Sequence, residues 1–275
     1  MLTEARRSLL LEAVRDAARQ AILPRFRNLA ESEIGQKSGP ADLVTLADTE
    51  AEALITAMVA PEWPEAVVLG EEGVAADPSA RQRMAEAEWA VIVDPVDGTW
   101  NFAKGLATFG VILAVCHKGQ PVFGALYDPV MDDWVEASAG QGATLRGPSF
   151  SRPLRVSQET ERRRMNGYIP MGLFPMETRR RLVQDFPDFG RVTSLRCSCH
   201  EYRMVAQGHS DFVLSGPTPH PWDHAAGALA VMEAGGVVRF LDGGAYRTER
   251  LKGVLLSASN EVLWQELAAR FAYLA

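Results

Sequence analysis

Two rhythms of apolar and polar residues alternate along this chain. Residues 3 to 23 place Ala5, Leu9, Ala13, Ala17 and Ala21 at helical spacing with charges between them. That pattern predicts an amphipathic helix that packs its apolar stripe on a core and ends near Pro24. A second helix is expected from Thr49 to Met58, through Glu50-Ala51-Glu52-Ala53-Leu54-Ile55, closed by Pro61 and Pro64. Short continuous apolar runs follow, Val67-Val68-Leu69 and Ala90-Val91-Ile92-Val93, which read as strands buried on both faces. Phe109 to Cys116 and Val122 to Tyr127 predict paired strands around Lys118-Gly119-Gln120. Trp134 to Ala137 and Gly140 to Leu145 extend the same sheet.

Beyond Pro153 strands and helices alternate: Asn166 to Ile169, a helix from Met176 to Asp185, Arg191 to Leu195, a helix from His200 to Gly208, then Phe212 to Leu214. Such alternation points to parallel strands joined by helices. The fold class expected is therefore α/β, with an α+β N-terminal half over residues 1–152 and an α/β C-terminal half over residues 153–275. With 275 residues, 47% of them hydrophobic, the chain has enough material for a large core.

Nine residues concentrate the chemistry. Asp94-Pro95-Val96-Asp97-Gly98-Thr99-Trp100-Asn101-Phe102 follows the Ala90–Val93 run, so a strand ending at Asp94 delivers two acids into a stiff turn. Like charges so close raise each other's pKa, and a hard divalent cation with oxygen ligands resolves the conflict. Thr99 and the N–H groups after Gly98 are placed to open a helix whose N-terminus faces an anion such as phosphate. Further acids sit in comparable places: Gly70-Glu71-Glu72 after a strand run, Asp48 before the second helix, and Asp223 in Pro221-Trp222-Asp223-His224-Ala225-Ala226-Gly227. Helix N-capping alone would account for Asp48 and Asp223.

Together these segments resemble the inositol monophosphatase family, Mg²⁺-dependent, lithium-sensitive phosphatases of the fructose-1,6-bisphosphatase-like superfamily. The resemblance is carried by G-E-E at 70 to 72, D-P-x-D-G-T-x-N-F at 94 to 102, W-D-x-A-A-G at 222 to 227 and a looser K-x-x-x-x-D-x-V-T-x-x-D at 37 to 48. It implies a layered α-β-α-β-α sandwich with the site between the halves. It also implies two or three Mg²⁺ ions, held by Glu71, Asp94, the Val96 carbonyl, Asp97 and Asp223, with Asp94 bridging. Thr99, with Asp48 and Glu71 behind it, then positions and deprotonates the attacking water. Asp97, Gly98, Thr99, Ser198 and Asp223 become substrate contacts. The reaction implied is hydrolysis of a small polyol or sugar phosphate, inositol monophosphate-like, by a homodimer. Such catalysis must lower the barrier by on the order of 20 kcal/mol or more, which paired metal ions can largely supply.

Two segments depart from the family pattern. Leu214 to Pro221 contains no carboxylate, where the inositol phosphatases use one to read ring hydroxyls, and Arg196-Cys197-Ser198-Cys199 replaces a Gly-Ser/Thr-Ala-Ala run. Histidinol phosphate and 3'-phosphonucleotides therefore stand beside the polyol phosphates as substrates, and a regulatory member of the family that binds RNA or protein as a third reading.

Composition narrows the partners. A net charge of -7 and a pI near 5.4 argue against a broad nucleic-acid surface. The Glu161-to-Arg164 and Arg179-to-Arg181 clusters read as solvated helix faces. Three cysteines, an odd number, predict reduced thiols and a cytoplasmic setting. Cys197-Ser198-Cys199-His200 has no second Cys/His pair at zinc spacing, so small buried residues beside a histidine are expected there, with His224 on a helix surface. Leu9-Leu10-Leu11 is interrupted by Glu12 and Arg15, and neither an export signal nor a membrane span is expected.

Overall fold

Alternation along the strands decides which layers the chain builds. In this computed structural model, which describes residues 2–40 and 42–275, the first helix, α1 (Glu4–Ala17), is capped by Thr3 and continues through a π-helical turn, Ala18–Ile22. A hairpin of β1 (Ile34–Gly39) and β2 (Asp42–Thr45) leads into α2 (Leu46–Val59), and β3 (Ala66–Gly70) is followed by α3 (Glu71–Ala76) and α4 (Ala80–Glu86). The site strand β4 (Trp89–Asp97) and short α5 (Thr99–Ala103) come next, then β5 (Gly110–His117), β6 (Gln120–Asp128), β7 (Asp133–Ser138), β8 (Gly142–Gly147) and β9 (Phe150–Pro153). Beyond them lie β10 (Asn166–Tyr168), α6 (Met176–Asp185), β11 (Arg191–Thr193), α7 (Ser198–Ala206), β12 (Phe212–Leu214), α8 (Pro221–Glu233), β13 (Val237–Phe240), β14 (Leu255–Ala258) and α9 (Glu261–Arg270).

Seven strands form one sheet in the order β3-β4-β5-β6-β7-β8-β9, and five form another in the order β11-β10-β12-β14-β13. On β4, Val91 and Val93 face one core with Ala13 and Ala17 of α1 and Ala51 and Ile55 of α2. Their neighbours Ala90 and Ile92 face a second core with Tyr202 of α7 and Ala225, Ala228 and Leu229 of α8. Val213 of β12 closes that second core from the other sheet, while Phe212 and Leu214 turn to a third core with Leu182 of α6 and Leu263, Trp264 and Leu267 of α9. The period of two thus stacks α1/α2, sheet, α7/α8, sheet and α6/α9 into five layers, the α-β-α-β-α sandwich expected. Burying a side chain such as Ile55 in a core of this kind contributes roughly 1.5–3 kcal/mol.

Several sequence-based expectations need correction. Asp48 and Asp223 do not cap their helices: Thr45 caps α2 and His220 precedes α8, so both acids lie in the first helical turn. Thr45 accepts from Ala47 N while Asp48 reaches back to Thr45 N, a reciprocal box that fixes the helix start three residues earlier. The strand expected to end at Asp94 runs on to Asp97. His224 is buried, because α8 lies between two sheets and has no wet face there. The five-stranded sheet is mixed: β10 is parallel to β11 and β12, whereas β14 is antiparallel to both β12 and β13. Arg162–Arg164 form a 3-10 turn rather than a helix face, and Arg179 Nε donates to Phe174 O. No described helix is long and apolar enough to cross a membrane.

Candidate metal centre and active site

A bulge, not a free turn, aims the two motif aspartates. In a regular strand, residues three apart point to opposite faces. The ladder pairs Asp94 with Ile112 and then Asp97 with Gly110, so β4 spends three steps where β5 spends two. The extra residue brings both carboxylates to the same side, and Pro95, which has no N–H, leaves no ladder donor unpaired there. Gly98 then turns the chain at φ +87° into α5. A Cβ at Gly98 would lie 3.0 Å from Thr108 O and 3.2 Å from Cys197 Cβ, so both the left-handed conformation and the close packing call for glycine.

The third acid comes from more than 120 positions away in the chain. Pro221 opens α8, and Asp223 in its first turn faces the end of β4. One carboxylate oxygen from each of Asp94, Asp97 and Asp223 lies within 4.8 Å of the others. Asp94 and Asp97 are buried and Asp223 is partly exposed. Burial, and then the charges of Glu71, Asp97 and Asp223, push the Asp94 carboxyl well above its ordinary range. Asp223 is raised well above it by enclosure and by Glu71 and Asp97, with Lys37 opposing. Asp97 is raised by burial, partly offset by the N–H of Cys199 and the thiol of Cys197. Three close carboxylates that resist joint ionisation, with no sulfur or nitrogen ligand among them, fit a hard divalent cation of the Mg²⁺ type.

Each remaining predicted residue has a definite place. Thr99 Oγ lies 3.0 Å from Asp48 Oδ1 and 3.0 Å from Val96 O. Asp48 is buried, and burial moves its carboxyl up to about 7 against the hydrogen bonds from Thr45. Glu71 opens α3 outside the trio, and its Oε1 accepts from Lys37 Nζ at 2.7 Å. Lys37 also reaches Glu72 Oε1 at 2.7 Å, and these two carboxylates hold its ammonium above the ordinary lysine value against the cost of burial. Glu52 of α2 anchors this corner by accepting from Glu72 N and Gly73 N at 2.8 and 2.7 Å. A cavity of about 940 Å³ brings Glu71, Asp94, Asp97, Gly98, Thr99, Ser198 and Asp223 to one surface. Asp48 and Val96 stand behind it, linked to it through Thr99.

Sequence reading missed the residues that hold this arrangement from the start of α7 and from α5. Cys197 Sγ donates to Asp97 Oδ2 at 3.1 Å, and Cys199 N donates to the same oxygen. Both cysteines are buried and free, as expected, but they form a clamp on a site carboxylate rather than inert filling. Asn101 Nδ2 donates to Thr108 O and Leu195 O, both at 2.8 Å, tying α5 across the halves. Glu201, whose carboxyl burial raises to about 7, accepts from Leu195 N and Ser194 Oγ and shapes the loop before α7. The signals available were that Asn101 belongs to the nine-residue motif and that Arg196-Cys197-Ser198-Cys199 departs from the family pattern; nothing local marked Glu201.

Known proteins are similar to this chain over most of its length. The model of the inositol monophosphatase family matches residues 4–273. Nus factor SuhB of Escherichia coli is 33% identical over 247 residues, covering 86% of this chain and 85% of its own length. Inositol monophosphatase 2 of Solanum lycopersicum is 33% identical over 213 residues, covering 74% of this chain and 76% of its own. Among solved structures, the Thermotoga maritima IMPase superposes with a TM-score of 0.81 at 22% identity, covering 98% of both chains, a likeness of fold.

Proposed function

The chain belongs to the inositol monophosphatase family, and from that premise we propose that it is a Mg²⁺-dependent phosphomonoesterase acting on a small phosphate monoester. The observation that carries this reading is the convergence of Asp94, Asp97 and Asp223 within 4.8 Å beside an open cavity. Those three, with Glu71 and the Val96 carbonyl, would hold two or three Mg²⁺ ions. When bound, Mg²⁺ supplies Lewis acidity to the phosphoryl group and to water.

The chain's own groups supply position and proton transfer. Thr99 Oγ, 3.0 Å from Asp48 Oδ1, orients a water by accepting from it and relays the proton to Asp48. A carboxyl near pKa 7 is suited to taking and returning that proton at neutral pH. Glu71 flanks the same water as a second base. The N–H groups of Gly98 and Thr99, at the start of α5, are the donors this reading assigns to a phosphate oxygen. Ser198 contributes to the substrate side of the cavity. Lithium inhibition, a homodimer and a cytoplasmic setting belong to the same proposal.

The relatives named Nus factor SuhB support a second reading, a regulator that binds RNA or protein in place of, or beside, catalysis. Phosphate release from inositol 1-phosphate, histidinol phosphate and adenosine 3',5'-bisphosphate, measured with and without Mg²⁺ and Li⁺, separates the two. Mg²⁺-dependent release inhibited by Li⁺ is expected from at least one substrate. Absence of release from all of them would leave the regulatory reading.

A further inference from the structure

The cavity lining combines an acidic set, an apolar set with one arginine, and neutral polar groups that include Ser194, Ser198, Thr218 and His220. The acidic set serves the phosphate end. The apolar set and its arginine include Trp100, Met171, Leu173, Arg196 and Pro217. Leu173 remains 64% exposed although it is a large apolar residue, and it stands on the segment between β10 and α6. A Cβ added at Gly216 would lie 2.8 Å from Leu173 Cδ1, so that segment and the loop before α8 meet as an apolar wall. Within the loop, the stretch from Leu214 to Pro221 offers no carboxylate.

Arg196 is the other unusual feature. Its backbone sits at φ +54°, a region that disfavours side chains other than Asn or Asp, and its guanidinium lies 4.2 Å above the Trp100 ring. Strain kept at the edge of a site points to a job for the residue held there. Among the described residues lining the cavity, Arg196 brings the one permanent positive charge.

A polyol laid on Met171, Leu173 and Pro217 would lose water from the hydroxyls on that side without finding acceptors in those three side chains, and would depend on groups elsewhere in the lining such as Ser194 and Thr218. A flat ring loses little on the same wall and gains both dispersion and cation-π attraction on a guanidinium already stacked on tryptophan. We infer that the alcohol portion of the substrate carries a flat aromatic or heteroaromatic ring, seated on the Arg196–Trp100 stack and against Met171, Leu173 and Pro217. The inference rests on the phosphomonoesterase reading and narrows it from polyol phosphates to ring-bearing esters.

Benzyl phosphate and glycerol 1-phosphate are both esters of primary alcohols, so they differ chiefly in the group offered to this wall. The experiment compares kcat/KM for the two, and their binding by calorimetry, in the wild-type protein and in Arg196→Gly. Glycine suits the left-handed backbone, so the variant is expected to fold. The expected result is at least a tenfold preference for benzyl phosphate in turnover and in binding, falling to near unity in Arg196→Gly. Turnover of both esters without that preference, or a preference unchanged in the variant, overturns the inference and leaves phosphatase activity standing. Preferential binding that depends on Arg196, without turnover of either ester, keeps the ring-binding site on the Arg196–Trp100 stack but counts against the phosphatase reading, and with it against the ring as part of a substrate. Binding of neither overturns both.

Discussion

Asp94 is where the residue-scale account is most exposed to test. It is buried, shares close space with Asp97 and Asp223, and feels Glu71 as well. Asp94→Asn removes a proposed bridging ligand and one charge from that trio. Activity is expected to fall at least about a thousandfold, on the order of 4 kcal/mol of barrier, with an unchanged far-ultraviolet circular dichroism spectrum. Near-normal turnover would remove Asp94 from the site. Burial above all, with the repulsion of neighbouring acids added at Asp94 and Asp223, governs pH dependence without metal. Asp94, Asp97, Asp223 and Asp48 all hold protons more tightly folded than unfolded. Their contribution to stability is therefore complete below the ordinary carboxylate pKa of about 4 and is lost as pH rises through the folded values. With chelator present, the melting temperature should decline from about pH 4 toward pH 7, where Asp48 titrates. Added Mg²⁺ should reverse most of that decline at pH 7. A flat profile with chelator would show that folding does not raise these carboxyls. At this scale the motif acids were readable from sequence because each motif is local; the Cys197 and Cys199 clamp on Asp97 was not, since it joins positions about a hundred residues apart.

Elements translate those residues into geometry. The nine-residue motif announced a turn after a strand, and the structure makes it a one-residue bulge within β4 followed by α5. Pro95 and Gly98 were the legible part; that the ladder resumes at Gly110 depends on β5, which no local pattern in β4 reveals. Helix starts were misread where two capping residues competed. Thr45 takes the cap and pulls Asp48 inside α2, while Pro221 suits a first helical position and puts Asp223 within the first turn of α8. Helix α8 is also held closely on all sides. Gly124 of β6 approaches Ala226, and a Cβ at Gly227 would lie 2.2 Å from Cγ of Tyr202. Tyr202 is buried and its hydroxyl lies 2.9 Å from His224 Nδ1, so the ring cannot swing aside cheaply. Gly227→Ala is expected to destabilise by about 1–3 kcal/mol despite alanine's better helix propensity. Thermal melts of the metal-loaded protein check this, and a stabilised variant would mean that α7 and α8 are less tightly packed than described.

For the whole molecule, the central helix layer matters most. Side chains of α7 and α8 share one core with Ile92 and Ile112 of the seven-stranded sheet and Val213 and Phe240 of the five-stranded sheet. We propose that the halves 1–152 and 153–275 are topological divisions that unfold together, because neither sheet can cover its inner face without those helices. Calorimetry and tryptophan fluorescence should then report one coincident transition; two separated transitions would contradict it. The sequence alone determined the α/β class, most strands and helices and the acid motifs, since periodicity, turn residues and motif spacing are properties of neighbouring positions. Only the tertiary structure decided that Asp223 meets Asp94 and Asp97, that His224 is buried, and that Arg196 stacks on Trp100 beside an apolar wall. Those contacts follow from how five layers stack, and stacking is settled by the complementary faces of elements far apart in the chain, which no local window of residues contains.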